Sequence, residues 1–255
     1  MKRLSIGIIA YKTVNIAWLK QLSEKLDAHI VVCIGKPETY EFSEYCNSYL
    51  LNRERISFGK NRKLSMILAS ELGEECIVTD GDGQYSVDSI KKVANELLKD
   101  EFEAIIPQRI NRMLILRIGD QVYDRSQLEL FENLCIFDQI NKKGLDFSKI
   151  DLQPGMFGFK GSICKKILPY ESDWLTDLDI SIKVINKTKY KMLPLSIDEK
   201  VQEKSLFSIK DQKIKFLKLS DIFDVNLREV FIKHEKKINI KERKLIKNII
   251  DEIEG

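Results

Sequence analysis

Apolar residues in the first hundred positions switch between two spacings. Leu4 to Ala10 and Ala28 to Ile34 are short continuous apolar runs, the second rich in β-branched residues and stopped by Gly35 and Pro37. Runs of this length between breakers predict buried strands. Between them, Ile16 to Leu26 is a helix candidate. Residues 60–72 place Leu64, Ile67, Leu68 and Leu72 on one helical face, with Gly73 as the stop. A strand ending at Asp80 follows. Ser86 then predicts the N-cap of a helix whose face carries Ile90, Val93, Ala94, Leu97 and Leu98. Glu103 to Pro107 reads as the next strand. Strands interleaved with helices predict an α/β fold, with a mainly parallel central sheet and helices on both faces.

The second half is less regular. Residues 127–140 suit a helix, Gly155 to Phe159 a short strand, and Asp177 to Val184 the start of another helix. Lys191 to Ile197, interrupted by Pro194, reads as an edge strand, where a missing N–H does least harm. Beyond about residue 205 the pattern turns helical and charged, and Leu245, Ile246, Ile249, Ile250 and Ile253 make an apolar stripe. There is no internal repeat, low-complexity tract or Gly/Ser linker. The expected division is a domain over residues 1–204 and a helical C-terminal extension over 205–255.

Charge changes this picture little. The net charge of +3 is too small to point to nucleic acid, and residues 1–200 balance at 29 basic against 29 acidic. The surplus falls in residues 201–255, with 13 Lys/Arg against 10 Asp/Glu. The five cysteines are scattered without a CxxC, and with two histidines a Cys/His zinc site is not expected. Cys33 and Cys76 sit in apolar runs, where cysteine acts as a small hydrophobe, and the pattern fits a reducing compartment. Met1-Lys2-Arg3 before an apolar run superficially resembles a signal peptide. Lys12 interrupts that run, however, and no small-residue cleavage pattern follows. With no apolar stretch of the ~18 residues that a span needs, a cytoplasmic location is expected.

The chemistry concentrates at Asp80-Gly81-Asp82-Gly83-Gln84, directly after the apolar run Cys76-Ile77-Val78-Thr79. Open α/β sheets bind ligands beside the carboxyl ends of their strands. The glycines permit a tight turn and close ligand approach. Two hard oxygen donors suit a divalent cation that also holds phosphates. The plain alternative is a polar turn with two solvated aspartates. An EF-hand loop counted from Asp80 would need glycine and glutamate where Tyr85 and Lys91 stand, so that reading fails. A phosphatase of the haloacid dehalogenase type also has aspartates two apart after a strand. Its motif normally lies near the N-terminus and continues to threonine, where this chain has Gln84.

The segment Asp80-Gly81-Asp82-Gly83-Gln84 resembles the Asp-x-Asp motif of GT-A-fold glycosyltransferases. Its Asp-Gly-Gln continuation is similar to the family 2 members that make polyprenyl-phosphate sugars. The resemblance covers roughly residues 4–200 in element order. It implies a metal-dependent transfer from a nucleotide-sugar donor, with inversion favoured and retention left open. Asp80 would contact the nucleotide, and Asp82 would bind Mg²⁺ or Mn²⁺ across the diphosphate. Asp80 and Gln84 are further metal candidates, and Gly81 is a donor contact. A bound cation neutralises the charge that develops on the departing diphosphate.

The same resemblance places the nucleotide base near Ala10, Tyr11 and Lys12. Phe58-Gly59-Lys60-Asn61-Arg62-Lys63 resembles a Gly-Lys element, in which Lys60 or Arg62 would meet phosphate. Cations at a helix N-terminus oppose the macrodipole, which favours a functional reason for them over a solvated face. Arg109, with Arg112 and Arg117, is a candidate for bidentate phosphate grips, against ordinary surface charge. Asp151 to Phe159 resembles the strand behind an acceptor pocket, with Gly155 and Met156 facing the acceptor. Asp177 and Asp179 open a helix where the family places a base that deprotonates the acceptor hydroxyl. Asp179 is the preferred one, although both also suit a helix N-terminus without catalysis.

Some features depart from the family. The second strand ends Cys33-Ile34-Gly35-Lys36 instead of in an acidic pair, which puts base and ribose recognition in doubt. No Gln-x-x-Arg-Trp follows, which argues against a processive synthase. His234, in a charged helical stretch, is a weak metal candidate. The implied partners are a UDP- or GDP-sugar and an unidentified acceptor, with no nucleic acid. Lys210, Lys213, Lys215 and Lys218, interleaved with Ile209, Ile214, Phe216 and Leu217, suit packing on the domain or on a second subunit, or contact with an anionic membrane surface. A GT-A-shaped binding or assembly protein without turnover is the reading from another class.

Overall fold

The computed structural model describes residues 3–52, 57–110, 115–118, 120–137, 140, 145–146, 150–169, 175–197 and 208–254. The first half runs β1 (Leu4–Ala10), α1 (Ile16–Lys25), β2 (Ala28–Ile34), β3 (Ser48–Leu51), α2 (Phe58–Leu72), β4 (Glu75–Asp80), α3 (Val87–Leu98) and β5 (Ala104–Arg109). A hairpin of β6 (Ile115–Ile118) and β7 (Gln121–Asp124) leads into α4 (Arg125–Cys135). Then come β8 (Met156–Lys160), α5 (Cys164–Ile167), α6 (Thr176–Lys187) and β9 (Tyr190–Leu195). Three helices close the chain: α7 (Ile209–Phe223), α8 (Leu227–His234) and α9 (Ile240–Glu254).

Seven strands form one sheet in the order β3-β2-β1-β4-β8-β5-β9. Six run parallel, and β8 is inserted antiparallel between β4 and β5. This reversal matters for the site. The amino end of β8 lies beside the carboxyl ends of its neighbours, with Met156 opposite Thr79.

Both faces of the sheet are covered. On one, Trp18, Leu19 and Leu22 of α1 and Ile90, Val93 and Leu97 of α3 pack on Ile6, Ile8 and Ile77. On the other, Met66 and Ala69 of α2, Phe131 of α4 and Ile180 of α6 pack on Cys76, Val78 and Phe157. Helix starts follow side-chain chemistry. Asn15, Ser57 and Ser86 each accept a backbone N–H from the first turn they precede. Ser208 and Asp211 form a reciprocal capping box on α7.

The strand and helix pattern of the first half matches the expectation closely, and β9 with Pro194 is the edge strand foreseen. Three details differ. The helix expected over 127–140 is Arg125–Cys135, because Asp124 supplies its cap earlier. Strand β3 and the β6–β7 hairpin were not foreseen. Neither has a distinctive alternation, and β3 forms by adding to the edge of β2. Leu98, read onto the apolar face of α3, is exposed at the end of that helix.

The C-terminal helices pack on the elements that precede them. Phe216 and Leu219 of α7, Phe231 of α8, and Leu245, Ile246, Ile249 and Ile250 of α9 belong to the same core as Phe131 and Phe157. The Phe131 and Phe216 rings meet edge to face at 5.2 Å. No helix among the described residues is long and apolar enough to cross a membrane.

Candidate active site

Asp80 is the last residue of β4, at the carboxyl end of a central strand. The turn after it is pinned on several sides. Gly81 donates its N–H to the Ile9 carbonyl and accepts from the Asn15 N–H, each at 2.8 Å. Asn15 Nδ2 also donates to the Asp82 carbonyl at 3.3 Å. Gly83 has φ +81°, a left-handed conformation that favours glycine. Asp82 projects from this turn, with Oδ1 accepting the Gln84 N–H at 2.9 Å.

Beneath the turn lies Arg62, fully buried although it carries a charge. Its Nη2 stands 3.2 Å from Asp80 Oδ1 and 3.3 Å from Asp177 Oδ1. Nη1 donates to the Gly155 carbonyl at 3.1 Å, and the guanidinium lies over the Phe58 ring. Gly155 in turn donates its N–H to Asp177 Oδ2 at 2.9 Å. At φ +75°, a Cβ on Gly155 would stand 3.0 Å from Asp80 Oδ2. One guanidinium therefore joins the end of β4, the loop entering β8 and the start of α6.

Carboxylates outnumber cations around Arg62. Desolvation pushes the Asp80 carboxyl up to about 7; Arg62 opposes the rise, while Asp82 and Asp177 add to it. Burial raises Asp82 too, against the hydrogen bond from Gln84. Asp177 Oδ1 is buried without a hydrogen-bond donor. Hard oxygens in a place short of positive charge fit a divalent cation. Among the described residues, no three His, Cys, Asp or Glu side chains form a ready metal cage. An ion on Asp80 and Asp82 would complete its shell with phosphate and water oxygens.

The other candidates fall into separate places. Ala10 ends β1, and its carbonyl accepts from Asn61 Nδ2 at 3.3 Å. Tyr11 is exposed, with its ring packed over Gly35. Lys60 is exposed on the first turn of α2, and Met156 is buried beside Thr79. Two arginines named as candidates for phosphate contact, Arg62 as above and Arg109, are buried against carboxylates. The Arg109 side chain is 5% exposed, with Nε 2.5 Å and Nη2 3.0 Å from the two oxygens of Asp151. Nη2 also donates to the Gln153 carbonyl at 2.6 Å. Burial opposes its charge, but Asp151, with Tyr85 and Asp177, holds its pKa above the ordinary value.

Asp177 and Asp179, the two candidate bases, occupy different surroundings. Two residues apart on a helix, they project from different faces. Asp177 meets Arg62 and Gly155, whereas Asp179 pairs with Lys183 at 2.8 Å. Arg112 lies outside the described residues. Arg117 is exposed on β6, and His234 ends α8.

Several site residues were missed from sequence. Tyr85 is buried, and its hydroxyl donates to the Pro154 carbonyl at 2.6 Å. Glu129 and Glu132, on the inner face of α4, anchor a buried polar network. Their signal was two carboxylates three positions apart among the apolar residues of that helix. A shallow cleft of about 430 Å³ at the amino end of β4 is a different place. Its charges satisfy one another, with Glu75 held by Arg3 and by Lys160.

No protein-family model matches the sequence, and no curated protein does either. Solved structures do match. Staphylococcus aureus TarS (residues 1–349) is 12% identical with a TM-score of 0.53, the match covering 98% of this chain and 70% of that one. Glucosyl-3-phosphoglycerate synthase from Mycobacterium tuberculosis, in complex with uridine diphosphate, is 10% identical with a TM-score of 0.65, over 88% and 81% of the two chains. The same synthase with Mn²⁺, UDP-glucose and phosphoglyceric acid gives 0.64 at 10% identity, with the same coverage. These neighbours are GT-A glycosyltransferases. At this identity the likeness speaks for the fold, a mostly parallel seven-stranded sheet flanked by helices: this chain has the GT-A fold.

Proposed function

We propose that this chain transfers a sugar from a UDP- or GDP-sugar to an acceptor with the help of Mg²⁺ or Mn²⁺. The observation that carries the reading is the placement of Asp80 and Asp82 at the carboxyl end of β4 in a GT-A fold, with Asp177 facing them across Arg62. In this reading Asp82, Asp80 and Gln84 hold the ion, which supplies positive charge to the departing diphosphate. A solved neighbour crystallised with Mn²⁺, UDP-glucose and phosphoglyceric acid supports a divalent metal and a nucleotide-sugar donor.

The chain's own residues do the rest. Tyr11 and the Ala10 backbone border the base, Lys60 meets phosphate, and Gly81 lets the donor approach the turn. Gly155 and Met156 form the acceptor wall. Asp177 serves as the base for the acceptor hydroxyl, and the Gly155 N–H on Oδ2 fixes its carboxylate plane. Asp179 supports the helix start through Lys183. Arg62 orients both carboxylates from below and stays out of contact with the substrate. The likeness to family 2 favours an inverting displacement.

Calorimetry and donor hydrolysis over a panel of UDP- and GDP-sugars, with and without Mn²⁺, test this. Metal-linked donor binding and turnover are expected in the wild type, and Asp82→Ala should lose both. Metal-independent turnover that is unchanged in Asp82→Ala would reject the proposal. Metal-linked binding without turnover towards any acceptor would favour a binding protein of the same fold.

A further inference from the structure

The loop that enters β8, residues 150–155, has no regular secondary structure, yet side chains from several elements hold its backbone. The Ile150 carbonyl accepts from Asn133 Nδ2 at 2.9 Å and the Leu152 carbonyl from Ser181 Oγ at 2.7 Å. Gln108 takes both backbone groups of Asp151. Pro154 and Gly155 are held by Tyr85, Arg62 and Asp177, as described above. Gln153 is the point where the C-terminal helices join this arrangement. Lys215 of α7, 3% exposed, places Nζ 2.5 Å from Gln153 Oε1 and 2.7 Å from Glu132 Oε2. Gln153 Nε2 donates to that same Glu132 oxygen at 2.6 Å, and Gln212 Nε2 of α7 donates to the other at 2.6 Å.

We propose that Lys215 is a positioning residue: from α7 it fixes Gln153, and through Gln153 the Pro154–Gly155 turn on which Arg62 and Asp177 rest. A buried ammonium is expensive unless it is paired and hydrogen-bonded, and an apolar residue would fill the same place more cheaply. A buried charge directed at one loop side chain fixes that loop's register in a way that non-directional apolar packing does not. The C-terminal helices are then one wall of the site, held at a distance of two side chains. The link to catalysis rests on the glycosyltransferase reading; the link to the loop does not.

Amide hydrogen exchange of the full chain, read on peptides covering 150–158, tests the placement directly. Lys215→Met should speed exchange there by at least about tenfold while the β1 and β4 peptides stay protected. Gln153→Met cuts the same link but leaves the Lys215–Glu132 pair in place, so it keeps the test open if the first variant unfolds. It should show the same local acceleration. In the donor-hydrolysis assay, both folded variants should lose at least about tenfold in kcat with little change in donor KM, as expected for misplaced groups. Unchanged exchange over 150–158 in a folded Gln153→Met protein would overturn the proposal. Faster exchange in the variants, with a wild-type protein that hydrolyses no donor, would leave the positioning intact and remove the glycosyltransferase reading.

Discussion

Arg62 shows how much one residue's role depends on what faces it. From sequence, Arg62 near the start of α2 is a candidate to meet phosphate, because its segment resembles a Gly-Lys element and a cation there opposes the helix dipole. In the fold it is enclosed by Asp80, Asp177 and the Gly155 carbonyl, none of which lies near it in sequence. Arg62→Met would strand two carboxylates in a desolvated place. It is expected to cost roughly 3–5 kcal/mol, the range for breaking a buried pair, measured as a loss of urea stability. Gly155→Ala meets both a positive φ and the Asp80 carboxylate. A loss of about 1–3 kcal/mol is expected from the backbone strain, together with weaker Mn²⁺ binding in calorimetry. Asp80 contributes one component of the pH response of the metal-free protein. Between the ordinary value of 3.8 and about 7 the folded state holds a proton that the unfolded chain releases. This contribution is complete below 3.8 and is lost as pH rises through about 7. The urea midpoint should therefore fall between pH 5 and pH 8, and Asp80→Asn should flatten that fall. The acidic turn itself was legible in sequence because a strand end and its carboxylates are contiguous. Its counter-ion, and which of Asp177 and Asp179 meets that counter-ion, were not, since both depend on contacts between distant segments.

Elements were legible where periodicity and caps agreed. The Ser86 cap, the Gly73 stop and the apolar stripe of α9 are local signals, and the structure uses each of them. Strand direction is not a local signal. The run Gly155 to Phe159 predicts a strand, but nothing in its side chains says that it runs against its neighbours. The hairpin of β6 and β7 was equally silent, with short strands beside a region read for its arginines. The C-terminal helices divide differently. Their basic residues drew attention to partners, while Phe216 and Leu219 between them carry the packing. Phe216→Ala should cost about 3–5 kcal/mol, as for other large-to-small core changes, in thermal or urea unfolding. Leu217→Ala, at an exposed position on the same helix, should change stability by less than about 0.5 kcal/mol.

At the scale of the whole molecule, residues from α7, α8 and α9 share a core with Phe131, Phe157 and Ile180. A chain cut after residue 204 would present that apolar surface to water. It is expected to be insoluble or to bind a hydrophobic dye strongly, whereas a well-folded soluble 1–204 fragment would show that the remaining core suffices. The reversed strand β8 carries one more consequence, for the order in which the protein is made. By residue 109 the ribosome has released β1 to β5, but β4 and β5 still lack the strand that separates them. Their facing edges stay open until residues 156–160 emerge. During that interval the nascent chain exposes unpaired backbone on two apolar strands, a template for wrong partners. Slow translation between these points should therefore raise the demand for chaperones, and faster delivery of β8 should relieve it.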